Sequence, residues 1–285
     1  MQAVANELLS EQRPVPVACL CRVLELPRST AYYHPKHPER NPDLDQSLAD
    51  QIRSLIERFP QFGIRRIWAY LRFRLGELVN RKKVARIMRI KGWTMRQRKR
   101  GLRPRVEISR SRAEQPDQRW STDIALVFCG AEEGWCSFVP VIDCCTREVM
   151  GWELSLTARA KTAERALESA LIKGFGFVHG APEGMTVRSD NGLVFGSKLY
   201  RRLCREYHLS QEFITPYTPE ENGLVERFIR SFKEECVWLH NFESMAEART
   251  EIAKWIDWYN NDRPHQALNY KTPDQARKEF LKLAA

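Results

Sequence analysis

The sequence predicts an α/β protein in which a mixed-sheet core follows an all-α region. Up to about residue 95, apolar residues recur at helical spacing, which is typical of amphipathic helices. From about residue 115, β-branched and aromatic runs alternate with helical stretches in the order βββαβαβα. A basic stretch lies between the two patterns and marks the boundary. A chain of 285 residues has room for two such domains.

The composition excludes several classes of protein. No run of about 18 apolar residues is present, so we expect no membrane-spanning helix and no membrane partner. The N-terminus has no basic start followed by an apolar stretch, and it does not resemble a signal peptide. The eight cysteines form no Cys-x-x-Cys pair, which argues against a zinc finger and favours reduced, buried thiols in a cytoplasmic protein.

The net positive charge of the chain comes from one stretch of the sequence. Lys and Arg total 46 and Asp and Glu total 36, which gives a net charge of +10. Between Arg81 and Arg112 stand fourteen Lys or Arg residues and one Glu, so this stretch carries +13 and the remainder carries −3. Such a density favours contact with DNA phosphate, although a solvated linker has the same composition.

The N-terminal segment, residues 1–43, is expected to be helical and to resemble a small helix-turn-helix. A helical apolar pattern breaks at Leu26-Pro27 before a second short helix. Three prolines then mark a linker: Pro35, Pro38 and Pro42.

Residues 44–95 predict a three-helix domain of the helix-turn-helix type that binds DNA. Asn80 is suited to cap the third helix, whose apolar face is opposed by a basic one. A basic third helix is typical of a recognition helix in the major groove, and a plain helical bundle is the alternative. The candidate DNA-binding residues of this domain and of the basic linker, residues 96–114, are Arg65, Arg66, Lys82, Lys83, Arg86, Arg96, Arg98, Lys99 and Arg100.

Residues 115–240 predict the α/β core, and residues 241–285 a C-terminal helical segment. The expected strands are Arg119–Phe128, Trp135–Cys144, Glu148–Leu154, Met185–Asp190 and Gln211–Thr215. The expected helices are Lys161–Lys173, residues 195–207 and Asn222–Leu239.

Three acidic residues stand where chemistry is expected. Asp123 falls in the middle of the first strand, where a buried carboxylate is costly unless it is paired or binds a metal. Asp190 directly follows the fourth strand, and Glu226 lies at the margin of the apolar stripe of its helix. Taken singly, each has an ordinary explanation as a strand-edge, turn or helix-dipole acid. Asp143, at the end of the second strand, is expected to be structural.

Three carboxylates offer hard oxygen ligands, which suit Mg²⁺ or Mn²⁺ better than zinc. Two such ions about 4 Å apart would stabilise the attacking and leaving oxygens of a phosphoryl transfer. Lys233 lies two turns after Glu226 on the same side of the helix, and Arg230 lies between them. We expect these two cations to bind DNA phosphate near the metal ions.

The ordered motifs resemble a known family. Thirty-five residues separate Asp190 from Glu226, and Lys233 follows seven positions later, as in the superfamily of DDE transposases and retroviral integrases. Over roughly residues 45–280 the chain is similar to the second-reading-frame (OrfB) transposases of the insertion-sequence family three. The motifs that carry this resemblance are FGIRRIWAYLR, WSTDIA, SDNG, TPYTPEENGLVERFIRSFKEE and WYNNDRPHQALNYKTPDQ.

The resemblance implies an RNase H-like core in which Asp123, Asp190 and Glu226 are the catalytic and metal-binding acids. It implies a transposase that cuts the ends of an insertion sequence with water and then joins a DNA 3′-hydroxyl to target DNA. The implied cofactor is Mg²⁺ or Mn²⁺, as two ions. The implied partners are double-stranded DNA, as terminal inverted repeats and target, further copies of the chain in a synaptic complex, and a paired or fused first-frame protein in the bacterial cytoplasm, at the nucleoid.

Other functions stay open from the residues alone. A non-catalytic DNA-binding regulator would use residues 16–112, and an integrase of another mobile element would share the acidic triad. A tyrosine recombinase would need a nucleophile such as Tyr270 behind Arg263 and His265, but their spacing does not match that class. The terminal motif around Trp258 has two interpretations, packing on the core or contact with DNA.

Overall fold

The computed structural model describes residues 16–23, 25, 27–31, 44–95, 113–176, 180–215 and 218–284. The chain divides into two compact units, Met1–Asp45 and Gln46–Ala285. Four predicted DNA-binding residues lie outside the described part: Arg96, Arg98, Lys99 and Arg100. None of the described helices is long and apolar enough to cross a membrane.

The first unit contains two short helices, α1 (Val17–Val23) and α2 (Arg28–Ala31). They lie on either side of Pro27, so the two predicted helices are confirmed. Their resemblance to a helix-turn-helix stays a prediction.

The second unit begins with the three predicted helices, which we call the three-helix domain. The helices are α3 (Gln46–Arg58), α4 (Ile64–Phe73) and α5 (Arg81–Ile90). The Asn80 side chain accepts a hydrogen bond from the Lys82 backbone N–H at 2.8 Å, which confirms the predicted cap. The apolar face of α5 is buried, and its opposite face exposes five cations: Arg81, Lys82, Lys83, Arg86 and Arg89.

Six strands form one mixed sheet, and their bounds are β1 (Arg119–Thr122), β2 (Ala125–Phe128), β3 (Trp135–Asp143), β4 (Val149–Ser155), β5 (Thr186–Ser189) and β6 (Ser210–Phe213). The long central strand β3 pairs antiparallel with β1, β2 and β4. On the other side of β1, the strands β5 and β6 continue the sheet in parallel. This mixed α/β architecture behind an all-α region confirms the predicted fold class.

Helices cover the sheet with two separate apolar clusters. One cluster packs Trp120 of β1 with α6 (Ala160–Phe175) and α7 (Lys198–Glu206). The other packs β2 and β3 with α8 (Gly223–Glu235) and α9 (Met245–Asn261), and α10 (Pro273–Ala284) follows. The predicted helix Asn222–Leu239 is too long, because α8 ends at Glu235 and a separate 3₁₀ turn, Val237–Leu239, follows.

The contact between β4 and α6 depends on the absence of a side chain at Gly151. A Cβ atom there would lie 2.5 Å from the backbone nitrogen of Ala170 and 2.6 Å from the carbonyl oxygen of Ala166. Real Cβ atoms do not approach backbone atoms so closely, so the helix can lie against the strand only while residue 151 is glycine.

We therefore predict that Gly151→Ala lowers the free energy of unfolding by about 1–3 kcal/mol, because α6 must move away from β4. Urea unfolding of the whole chain measures this. Gly196→Ala is the matched control, since a Cβ there would meet only the Leu193 carbonyl oxygen at 3.9 Å. Equal stability of the two variants would contradict the close approach.

Candidate active site

Asp123 lies in a two-residue gap between β1 and β2. The sequence predicts a single strand, Arg119–Phe128, and this is wrong in one detail. Its two halves, β1 and β2, pair with β3 in the same register, but the pairing is interrupted between them. That register places Asp123 opposite Pro140 of β3, which has no N–H to donate. The interruption releases the backbone of Asp123 from the sheet, and its carboxylate accepts a hydrogen bond from the Ile124 N–H at 2.8 Å.

Asp123 lies within the electrostatic field of the other two predicted acids. Burial, together with the charges of Asp190 and Glu226, raises the pKa of Asp123 to about 6. The hydrogen bond from Ile124 and the positive charge of Lys233 act in the opposite direction. Residues from three distant parts of the sequence thus converge on Asp123, and their catalytic role stays a prediction.

Asp190 directly follows β5, the parallel neighbour of β1. Its carboxylate accepts a hydrogen bond from the Gly192 N–H at 3.0 Å, which closes a tight turn. A Cβ at Gly192 would lie 2.9 Å from that same carboxylate oxygen. The turn therefore fixes the direction of Asp190 and favours glycine two residues later.

Glu226 lies in the first turn of α8 and is exposed. The start of this helix is attached to β1 by Asn222, which is 2% exposed. The Asn222 side-chain oxygen accepts a hydrogen bond from Ser121 Oγ at 2.6 Å, and its amide donates to the Thr122 carbonyl at 3.4 Å. Asn222 therefore positions Glu226 beside Asp123, a role that the sequence pattern did not indicate beyond the start of a helix.

The side of α8 that carries Glu226 forms one wall of a cleft of about 620 Å³, and Asp123 lies in the facing wall. Lys233 and Arg230 line the same cleft, as their helical spacing predicted. Arg230 Nε is 2.9 Å from Glu234 Oε1 in an exposed ion pair. Trp238, which sequence reasoning missed, also lines the cleft and is 63% exposed.

The two predicted DNA-binding arginines of α4 differ in their surroundings. Arg65 is exposed, and its guanidinium donates to Gln266 Oε1 at 3.5 Å. Arg66 Nη1 lies 2.6 Å from Glu235 Oε1, and Glu235 is only 4% exposed. The guanidinium of Arg66 is therefore held by a buried carboxylate of α8, and its contact with DNA stays a prediction.

Asp143 has the structural role that the sequence predicts. Its Oδ1 accepts hydrogen bonds from the backbone N–H groups of Cys145 and Thr146 and from Thr146 Oγ1. Its Oδ2 accepts one from the Asp117 N–H at 2.8 Å. The three bonds to Oδ1 close the hairpin between β3 and β4, and the bond to Oδ2 holds the segment before β1 against it.

The terminal motif packs against the rest of the second unit. Trp258 stacks on Phe59 of the three-helix domain with ring centroids 5.0 Å apart. Asn260 exchanges hydrogen bonds with the backbone of Val149 at 2.9 and 3.1 Å. Tyr270 stacks on Phe73 at 5.3 Å. The packing interpretation is confirmed for these residues, and Tyr270 does not stand as a free nucleophile in the cleft.

The donor set of the cleft fits a hard divalent cation. Asp123 and Glu226 line the cleft, and Asp190 lies near enough for its charge to act on Asp123. Burial first and then the charges of the other two acids raise the pKa of Asp123, and a bound cation would relieve this repulsion. Among the described residues, however, no three His, Cys, Asp or Glu side chains are already placed as a metal-ligand group. Glu226 is exposed on the first turn of α8 and lines the same cleft as Asp123.

Comparison with known proteins gives matches over most of the second unit. A family model described as an HTH-like domain matches residues 43–101, and two models described as integrase core domain match residues 113–219 and 207–273. The putative transposase InsK for insertion sequence element IS150 of Escherichia coli (strain K12) is 27% identical over 289 residues, 97% of each chain.

Two further proteins extend the comparison. The transposase InsD for insertion element IS2 on F plasmid, of Escherichia coli (strain K12), is 28% identical over 85% of this chain and 80% of that protein. The catalytic core domain of HTLV-2 integrase, solved in complex with magnesium, covers 58% of this chain and 99% of its own at 18% identity and a TM-score of 0.42.

The raised pKa of Asp123 predicts a pH-dependent stability in the absence of metal. Its folded-state pKa of about 6 lies above the ordinary value of 3.8, so the unfolded chain releases this proton first. The stabilising contribution is complete below about pH 4 and is lost as the pH rises through about 6. The free energy of unfolding of Asp123→Asn should therefore exceed that of the wild type by up to about 3 kcal/mol above pH 6. This difference should become smaller toward pH 4.

Urea unfolding in EDTA at a series of pH values measures both proteins. If the free energies of unfolding of wild type and Asp123→Asn change with pH in parallel across this range, the pKa of Asp123 is not raised as predicted.

Proposed function

Because the chain belongs to the integrase-core transposases of insertion sequences, we propose that it cleaves DNA at the ends of such an element and joins them to target DNA. The observation that carries this proposal is that Asp123 and Glu226 line one cleft together with Lys233, while the charge of Asp190 also acts on Asp123. The HTH-like and integrase-core domains imply that the partner is DNA.

We propose that these three carboxylates hold divalent metal, Mg²⁺ or Mn²⁺, as two ions. When bound, such ions act as Lewis acids and lower the pKa of water, which makes it a nucleophile at neutral pH. The protein contributes the anchoring of each carboxylate: the gap opposite Pro140 for Asp123, the Gly192 turn for Asp190, and the Asn222 contact for Glu226.

The proposed cleavage is a hydrolysis of one phosphodiester at the element end. The oxygen of water attacks phosphorus and forms a new P–O bond, the P–O3′ bond breaks, and the leaving 3′ oxygen takes up a proton while the water gives one to solvent. The products are a 3′-hydroxyl and a 5′-phosphate. In strand transfer, that 3′-hydroxyl oxygen attacks a phosphorus of the target strand and releases a target 3′-hydroxyl. Neither step needs a protein nucleophile.

The cations of the second unit would bind and orient the DNA. Lys233 and Arg230 line the cleft within reach of a phosphate that approaches the carboxylates. The exposed basic face of α5, including Lys82, Lys83 and Arg86, is suited to phosphate contact on either side of a major groove. We propose that α5 recognises the DNA sequence of the element end.

Further copies of the chain are proposed as partners, since two DNA ends must be joined in one event. A first-frame protein, paired or fused, is proposed as a second partner. Both proposals rest on the family and on the two-ended reaction.

The triad predicts a sharp separation of cleavage from binding. Asp123→Asn, Asp190→Asn and Glu226→Gln should each reduce metal-dependent cleavage of an end-containing duplex by about 10³-fold or more, because a metal ligand is lost. Affinity for the same duplex should change by less than about threefold. Gel-resolved strand cleavage in Mg²⁺ or Mn²⁺, with and without a first-frame protein, measures the first quantity and fluorescence anisotropy the second.

Glu168→Gln is the matched control, since Glu168 is an exposed acid on α6, whose apolar face belongs to the other cluster. Full cleavage by any one triad variant would remove that residue from the site. Binding without cleavage by the wild type under every metal condition would favour a DNA-binding regulator.

A further inference from the structure

A second cavity of about 620 Å³ lies on the side of α8 that faces away from the cleft of carboxylates. We call it the arginine cavity. Its walls come from α4, from α8, from the turn after β3 and from the segment that follows α9. Five arginines line it: Arg65, Arg66, Arg147, Arg227 and Arg263.

The charge of the arginine cavity is only partly neutralised inside the protein. No carboxylate is among its lining residues. One buried carboxylate, Glu235, lies behind it and is shared by Arg66 at 2.6 Å and Arg263 at 2.7 Å. Arg147 and Arg227, like Arg65, form no ion pair with a carboxylate of the described residues. Several positive charges are therefore left to face the cavity.

Groups around the cavity respond to this positive charge. The pKa of His265 is lowered well below its ordinary value by burial and by the charges of Arg263, Arg147 and Arg66, so this imidazole is neutral at pH 7. Burial and the charges of Arg263 and Arg227 also lower the pKa of Arg66, against the attraction of Glu235. A bound anion would relieve each of these repulsions.

Arg147 provides an independent indication of an anion. Its Nε atom is buried and meets no hydrogen-bond acceptor within the described part of the chain. A buried donor without an acceptor costs about 1–3 kcal/mol. Because the Arg147 side chain lines the cavity, an anion bound there would place acceptor oxygens beside this guanidinium.

The position of the cavity favours a phosphate of a DNA strand. Arg227 directly follows Glu226, so the cavity and the carboxylate cleft are separated by one helix, about 10–12 Å across with its side chains. That width corresponds to about three nucleotide steps of roughly 3.4 Å each. The cavity is also larger than a free phosphate ion needs, and Arg65 comes from the domain expected to read DNA.

We propose that the arginine cavity binds a backbone phosphate of DNA a few nucleotides from the bond that is cut at the carboxylates. The inference rests on the proposed function, since it takes the ligand to be the element's own DNA. In this arrangement the two sides of α8 bind one strand at two points, which fixes the register of the scissile phosphate.

The test uses a double variant, Arg65→Gln with Arg227→Gln, because both side chains are exposed and their replacement should leave the fold intact. The control, Arg201→Gln with Arg205→Gln, removes the same charge from the exposed surface of α7, which packs on the other apolar cluster. Affinity for an end-containing duplex is measured for each protein over a salt series in EDTA, and melting temperatures check folding.

We expect the cavity variant to bind about tenfold more weakly and its slope of log K against log salt to be smaller in magnitude by about 1–2. The affinity of the control should stay within about twofold of that of the wild type. Lys instead of Gln at position 227 of the cavity variant, Arg227→Lys, should restore most of the slope. A cavity variant that matches the control in affinity and slope would overturn the inference.

Two further measurements separate the other possibilities. If inorganic phosphate at millimolar concentration raises the melting temperature of the wild type but not of the cavity variant, while DNA binding is the same in both, the cavity binds a free anion and the inference fails. If the wild type cleaves DNA and the cavity variant is unaffected, only the inference falls. If the wild type neither binds nor cleaves DNA, the proposed function fails and the cavity loses its proposed ligand with it.

Discussion

A buried carboxylate, Glu235, connects the three parts of the second unit. It accepts two hydrogen bonds from Arg263, both at 2.7 Å, and one from Arg66 at 2.6 Å. Removal of one partner from a buried ion pair leaves a charge without compensation, at a cost of about 3–5 kcal/mol. The three-helix domain, the core and the C-terminal segment are therefore held in one arrangement by the last turn of α8.

The same helix carries the site at its other end. Asn222 fixes the start of α8 to β1, and Glu235 fixes its end to Arg66 and Arg263. Phe232 stacks on Phe138 of β3 at 4.4 Å and holds the middle of the helix on the sheet. Because the helix is fixed along its whole length, Glu226 on one side and Arg227 on the other have defined positions relative to both the carboxylates and the three-helix domain.

Much of this could be predicted from local sequence. Helical spacing predicted α3 to α5, the cap at Asn80 and the shared face of Glu226 and Lys233, because these depend on residues a few positions apart. The gap at Asp123 could not be predicted, since it depends on which β3 residue lies opposite and Pro140 is identified only by the register. The pairing of Arg66 with Glu235 was also missed, because the two residues are 169 positions apart and helical spacing says nothing about such contacts. The arginine cavity could not be predicted for the same reason, because its walls come from four segments that are distant in the sequence.

In the proposed site, Asp123, Asp190 and Glu226 come together around divalent metal. The most direct measurement replaces Mg²⁺ with Fe²⁺ in the whole chain bound to an end-containing duplex and maps where hydroxyl radicals, generated at the iron, cut the protein backbone. We expect cuts clustered near residues 123, 190 and 226, and we expect excess Mg²⁺ to suppress them. Cuts at other positions, or cuts at these positions that excess Mg²⁺ does not suppress, would contradict the proposed site.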